Sequence, residues 1–147
     1  MPQSAETFVL DTSALLCFKD NEPGAGEVEA ILRQYGKKGA VYVSFMSVME
    51  FAYILEQEQG ESESRRGLLQ LKQLPIEVVE SDEPLGLAAA RIKAAHRLSV
   101  ADAWVAATAE RLGATLVHKD PEFEPLAKTI RMQALPPKAS RSQSFVQ

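Results

Sequence analysis

The chain is poor in the residues that build most small metal and disulfide proteins. It has one cysteine, Cys17, and two histidines, His96 and His118. A lone thiol excludes an intramolecular disulfide, and these three residues are too few for an ordinary His/Cys zinc site. No run of about 18 apolar residues occurs, which excludes a helix spanning a membrane. The opening Met1–Glu6 has neither the basic start nor the apolar core of a secretory signal. With one thiol and no leader, the expected location is the cytoplasm. Positive charge is also scarce, with 16 Lys and Arg against 20 Asp and Glu, a net charge of −4. Proteins that grip nucleic acid by phosphate neutralisation alone are usually basic. If this chain handles nucleic acid, something else has to bring phosphate to an acidic surface, and a divalent cation is the obvious candidate.

What is present is ordinary globular material. Of 147 residues, 46% are hydrophobic and 24% charged, which suits one soluble domain. A domain over residues 1–135 is expected, followed by a tail over 136–147. That tail (Pro136-Pro137-Lys138-Ala139-Ser140-Arg141 onward) has no periodicity and reads as flexible.

Within the domain, strand-like runs alternate with helical ones. Thr7–Leu10, Ala40–Val43, Ile76–Val79 and Ala114–Val117 read as strands, and Thr129–Met132 as a short last one. Val28, Ile31, Leu32 and Tyr35 mark an amphipathic helix closed by Gly36. Further helices are predicted from Ser44 or Ser47 to Gly60, from Ser62 to Leu74, from Ser81 or Asp82 to about His96, and from Ser99 to Gly113. This alternation predicts an α/β fold, a three-layer α/β/α sandwich with a central parallel sheet of four to five strands.

In open parallel sheets, ligands sit beyond the carboxyl ends of the strands. Asp11 follows the first strand directly, and Asp120 lies three residues after Val117. Glu50 and Asp102 fall near helix starts. Each has an ordinary alternative. Asp11 can start a helix, and Asp120 before Pro121 can be a helix cap. Ser99-Val100-Ala101-Asp102 fits a capping box. Glu50 is harder to explain so, because its helical neighbours Met46, Ser47, Tyr53 and Ile54 include no base. Brought together, four carboxylates repel, and a hard divalent cation with oxygen ligands relieves the conflict.

At these residues the chain resembles the PIN-domain ribonucleases, and within them the short VapC-like toxins of type II toxin–antitoxin pairs. The resemblance is carried by Val9-Leu10-Asp11-Thr12-Ser13-Ala14-Leu15, by Ser47-Val48-Met49-Glu50, by Leu98-Ser99-Val100-Ala101-Asp102-Ala103, and by Gly113 to Phe123. It implies a PIN domain over 1–135. It implies that Asp11, Glu50, Asp102 and Asp120 are catalytic and bind Mg2+ or Mn2+, with Thr12 or Ser13 hydrogen-bonding inside the site. It further implies an endoribonuclease acting on RNA, a homodimer and a cognate antitoxin that blocks the cleft. No membrane role is implied. Two departures stand out. His118 replaces a usual Ser or Thr and could approach a phosphate, although a neutral supporting role is the simpler reading. Trp104 replaces a smaller aliphatic residue and could stack a base, although packing in a core or interface is simpler. Arg97, Lys93, Lys119 and the Arg65/Arg66 pair are candidate phosphate contacts, or ordinary solvated charges.

Two other functions compete. One is a PIN-like RNA-binding or assembly module without catalysis, which would have no reason to keep four repelling acids. The other is an aspartyl phosphatase, which needs an acid two residues after Asp11, where Ser13 stands.

Overall fold

The computed structural model describes residues 6–137. Five strands form one all-parallel sheet: β1 (Phe8–Leu10), β2 (Val41–Ser44), β3 (Glu77–Val79), β4 (Thr115–His118) and β5 (Met132–Ala134), in the order β3-β2-β1-β4-β5. Six helices cover it: α1 (Thr12–Lys19), α2 (Ala25–Tyr35), α3 (Phe45–Gln59), α4 (Glu61–Lys72), α5 (Glu83–Ala95) and α6 (Val100–Leu112). The α/β/α sandwich expected from the alternation is the observed fold.

The period of two along each strand sorts its side chains between two cores. Phe8, Leu10, Val41, Val43 and Val117 point into one core, packed against α1 to α4. Val9 and Leu116 point into the other, against α5 and α6. The inner strands β2, β1 and β4 are buried on both faces, whereas the edge strands β3 and β5 are partly exposed. Helix α6 is almost wholly interior. Its run Ala103, Val105, Ala106, Ala107, Thr108 and Ala109 is buried, and Thr108 meets its polarity by donating to the Trp104 carbonyl at 2.8 Å.

Chain punctuation follows local chemistry. Ser44, Asp82 and Ser99 each cap a helix through a side-chain oxygen. Gly60 joins α3 to α4 at φ 96°, and Gly113 ends α6 at φ 60°. Gly36 is required by space. A Cβ there would lie 2.5 Å from Pro75 Cγ and 2.9 Å from the Pro75 carbonyl oxygen. Gly36→Ala is expected to destabilise the fold by about 1–3 kcal/mol through overpacking, read as a lower midpoint in urea at unchanged slope.

The last strand differs from expectation. Thr129 and Ile130 turn back, both donating backbone N–H to the Leu126 carbonyl, at 3.0 and 2.9 Å. They close the 3₁₀ segment Pro121–Leu126 instead of extending. Pairing begins only at Met132 opposite Leu116, so the strand lies at 132–134 and not at 129–132. Of the tail expected over 136–147, only Pro136 and Pro137 fall among the described residues. No described helix is long and apolar enough to cross a membrane.

The strand order places β1 at the switch point. From β1 the chain builds outward through β2 and β3 on one side, then returns to lay β4 and β5 on the other. Adjacent loops leave in opposite directions there and open a crevice beyond the carboxyl ends of β1 and β4.

Candidate metal centre

Asp11 is the first residue beyond β1. Its backbone still pairs with the sheet, donating to the Val117 carbonyl at 3.0 Å, while its side chain caps α1. The Oδ2 atom accepts from the Ser13 N–H at 3.1 Å and from the Ser13 hydroxyl at 2.6 Å. The Oδ1 atom is buried with no hydrogen-bond partner. So the capping role takes one oxygen and leaves the other without a partner among the described residues. Burial pushes this carboxyl up to about 6, against the lowering effect of the Ser13 hydrogen bonds, with the Glu50 charge adding to the rise.

Glu50 projects from α3 and accepts the Thr12 hydroxyl at 2.6 Å through Oε1. Thr12 and Ser13 therefore serve different acids.

Asp102 stands at the third position of α6, where a capping box would have it accept the Ser99 N–H. It does not. Ser99 Oγ accepts the Asp102 N–H at 3.0 Å, but the Ser99 N–H donates to Glu122 Oε1, also at 3.0 Å. Glu122 performs the reciprocal half of the box, and Asp102 is left to face the crevice. This corrects the capping-box alternative, which holds only in part.

Asp120 caps the 3₁₀ segment, with Oδ1 accepting the Glu122 N–H at 2.9 Å. Asp102, Asp120 and Glu122 each offer an oxygen within 4.8 Å of one another. Asp11, Thr12, Ser13, Glu50, Ser99, Asp102, Asp120 and Glu122 line one cavity of about 260 Å³, with Leu16 and Ile54 as its apolar wall. All four acids singled out from the sequence meet there. The lining includes no Lys or Arg.

Such a cluster cannot stay fully ionised alone. The Asp102 carboxyl is pushed up to about 9, first by burial, then by its hydrogen bond with Glu122 and the charges of Asp11, Asp120 and Glu122. Glu122 moves down because the Asp102 proton and the Ser99 N–H both point at it. Without a cation, burial and mutual repulsion favour a protonated Asp102 beside an ionised Glu122. A buried Asp11 oxygen with no hydrogen-bond partner among the described residues, beside a cavity lined by oxygen donors and by no Lys or Arg, fits a hard divalent ion.

The family model of the PIN domain matches residues 8–129. The chain belongs to the PIN-domain family. Solved structures agree in fold. The VapBC complex of Salmonella typhimurium bound to DNA superposes with a TM-score of 0.70 at 19% identity, covering 88% of this chain and 98% of that one. VapBC2 of Rickettsia felis, bound to a fragment of its promoter, gives 0.70 at 12% identity over 88% and 99%. VapC20 of Mycobacterium tuberculosis, described as a sarcin-ricin loop cleaving toxin, gives 0.67 at 16% identity over 88% and 100%. At such identities the likeness is one of fold. No curated protein sequence matches the chain.

Of the other candidates in this PIN domain, His118 and Trp104 take the simpler of the two roles the sequence offered, and Lys119 does not. His118 is buried at 3% exposure, its ring tilted against Phe123 at 5.3 Å, and its Nδ1 accepts the Asp120 N–H at 3.2 Å. Burial lowers its pKa, so the ring is neutral and shapes the loop; it does not line the cavity. Lys119 turns away from the cavity into an ion pair with Glu22 at 3.3 Å, and is no phosphate contact. Arg65 and Arg66 pair with Glu61 and Glu63 on their own helix. Arg97 is exposed, two residues before Ser99, and outside the cavity wall. Trp104 packs edge-on against Phe45 at 4.9 Å, over Gly86.

Glu122 was not among the expected site residues. Its signal was present: an acid two residues after Asp120, in the first turn of a proline-started segment, returns to the same crevice. Read along the chain, it looks like a favourable charge at a helix start.

Proposed function

We propose that this PIN domain is a metal-dependent endoribonuclease, the toxin of a toxin–antitoxin pair. The observation that carries this is the convergence of Asp11, Glu50, Asp102, Asp120 and Glu122 on one cavity at the sheet's switch point. Asp11 Oδ1, Asp102 and Asp120 would hold Mg2+ or Mn2+, with Glu122 completing the set and Glu50 oriented by Thr12. When bound, such an ion activates a water, binds a phosphate oxygen and offsets charge developing in an in-line displacement. Ser13 keeps Oδ1 of Asp11 turned to the cavity. Asp102 would lose its proton to the solvent as the ion enters, so that it joins Glu122 as an ionised donor. Leu16 and Ile54 supply a partly dry wall.

The substrate is RNA, with single-stranded loops favoured because their bases are accessible. The partner is an antitoxin protein that covers the crevice, and the active form is a homodimer in the cytoplasm. The VapBC complexes with the same fold support the partner assignment. Residues 1–135 form the folding and catalytic unit, and 136–147 an appended tail.

Purified protein mixed with a loop-containing RNA is expected to cleave it in Mn2+ or Mg2+ and not in EDTA, with the new ends mapped by sequencing. Millimolar Mn2+ is also expected to raise the unfolding temperature, since an ion bound to the native state alone stabilises by RT ln(1 + [L]/Kd). No cleavage and no thermal shift would instead support the non-catalytic RNA-binding or assembly module.

A further inference from the structure

Lys119 has its backbone in the metal-site loop and its side chain elsewhere. Its side chain is 9% exposed. It donates to Glu22 Oε1 at 3.3 Å and to the Pro23 carbonyl at 3.0 Å, both in the turn between α1 and α2, and lies 3.8 Å from Cys17 Sγ. Its backbone N–H donates to Ser13 Oγ at 2.9 Å, and the Ser13 hydroxyl donates onward to Asp11 Oδ2 at 2.6 Å. One residue therefore links a largely buried ion pair outside the cavity to the hydrogen bond that orients the first acid. The next residue along the chain is Asp120.

The receiving turn is itself held. Cys17 Sγ donates to the Pro23 carbonyl at 3.3 Å. Gly24, at φ 105°, packs so closely that a Cβ would lie 3.1 Å from both Leu135 Cβ and Pro136 Cδ. The loop is pinned on its other strand edge too, where the Leu135 N–H donates to the His118 carbonyl at 2.7 Å. An ion pair this buried contributes little net stability, because desolvation offsets attraction. It does hold one geometry, since a displaced Lys119 side chain loses both the Glu22 carboxylate and the Pro23 carbonyl.

We propose that Lys119 is a positioning residue for the metal centre. Its pairing with Glu22 sets the 118–120 loop so that Ser13 occupies one oxygen of Asp11 and leaves the other to the cavity, while Asp120 stays in reach of Asp102 and Glu122. The proposal rests on the reading of the cavity as a metal site.

The test measures Mn2+ affinity of the full chain by electron paramagnetic resonance, at a temperature where circular dichroism shows each variant folded. Lys119→Met and Glu22→Ala are expected to bind Mn2+ about tenfold more weakly, the usual effect of removing an outer support of a ligand. Lys119→Arg is expected to restore most of that loss. In RNA cleavage at saturating Mn2+, kcat should fall with KM little changed. A merely structural Lys119 would lower the unfolding temperature and leave Mn2+ affinity untouched. Wild-type affinity in folded Lys119→Met overturns the proposal. If that variant does not fold, wild-type affinity in Glu22→Ala overturns it. A wild-type protein that binds no Mn2+ removes the metal-site reading itself, and the positioning role with it. A wild-type protein that binds Mn2+ alongside variants that match it removes the positioning role alone.

Discussion

Asp11→Asn protein is expected to cleave RNA about a thousandfold more slowly than wild type, and to unfold no earlier. The asymmetry of the two carboxylate oxygens is the reason. Oδ2 is engaged by the Ser13 hydroxyl and N–H, and Oδ1 has no partner among the described residues. An asparagine can place its carbonyl where Oδ2 stands and keep the cap on α1. Its amide nitrogen then takes the place of Oδ1, where it offers a donor to a cation instead of a lone pair. Loss of a ligand that stabilises the transition state by several kcal/mol corresponds to roughly three powers of ten in rate. Stability is spared because a carboxyl raised to about 6 by burial is replaced by a neutral group of the same shape. The measurement is cleavage of a fixed RNA at saturating Mn2+, paired with urea unfolding of both proteins without metal. Wild-type cleavage by the variant would remove Asp11 from the reaction. Unfolding at much lower urea would show that the acid is kept for the fold.

The second large effect is on pH. In the metal-free protein, stability is expected to fall as pH rises from about 4 to about 9. Asp11 and Asp102 both have folded-state values above the ordinary 3.8, at about 6 and about 9. The folded protein therefore holds protons that the unfolded chain has released. Their contribution is complete below about 4 and is lost as pH passes through each folded value. The limiting slope is about 1.4 kcal/mol per pH unit for each group titrating. Glu122, shifted down, works the other way, and its support is lost only below its ordinary value of 4.5. A saturating divalent ion should flatten or reverse the alkaline loss, because it binds the ionised set. Asp102→Asn should remove most of the slope above pH 6 and gain less from Mn2+. Urea midpoints across pH, with EDTA or Mn2+, measure this. A flat profile without metal would show that the carboxyls are better solvated than their burial indicates.

The sheet and its layers are legible because the inner strands are buried on both faces and the helices carry clear ends at Gly36, Gly60 and Gly113. Asp11 was legible because a strand end is visible in the sequence. Two things were not. The last strand was placed three residues early, since Thr129-Ile130 has the composition of a strand while its backbone bonds close a turn. Glu122 was passed over because its role depends on a partner 23 residues earlier: it accepts the Ser99 N–H that the local pattern assigned to Asp102. A capping box is a local motif, and a distant residue supplying half of it leaves no trace in spacing. Lys119 and His118 show the same limit, since whether a loop side chain faces the cavity or its back depends on tertiary packing.

The central place of β1 has a consequence for when the protein can work. Its neighbour β2 leaves the ribosome soon after it, but β4 begins only at residue 115, and Asp120 and Glu122 later still. A nascent chain halted between residues 50 and 120 carries Asp11 and Glu50 and lacks Asp120 and Glu122. A cavity that draws its acids from early and late in translation is incomplete through most of its own manufacture, and under the proposed function premature stop codons before residue 120 should yield inert products.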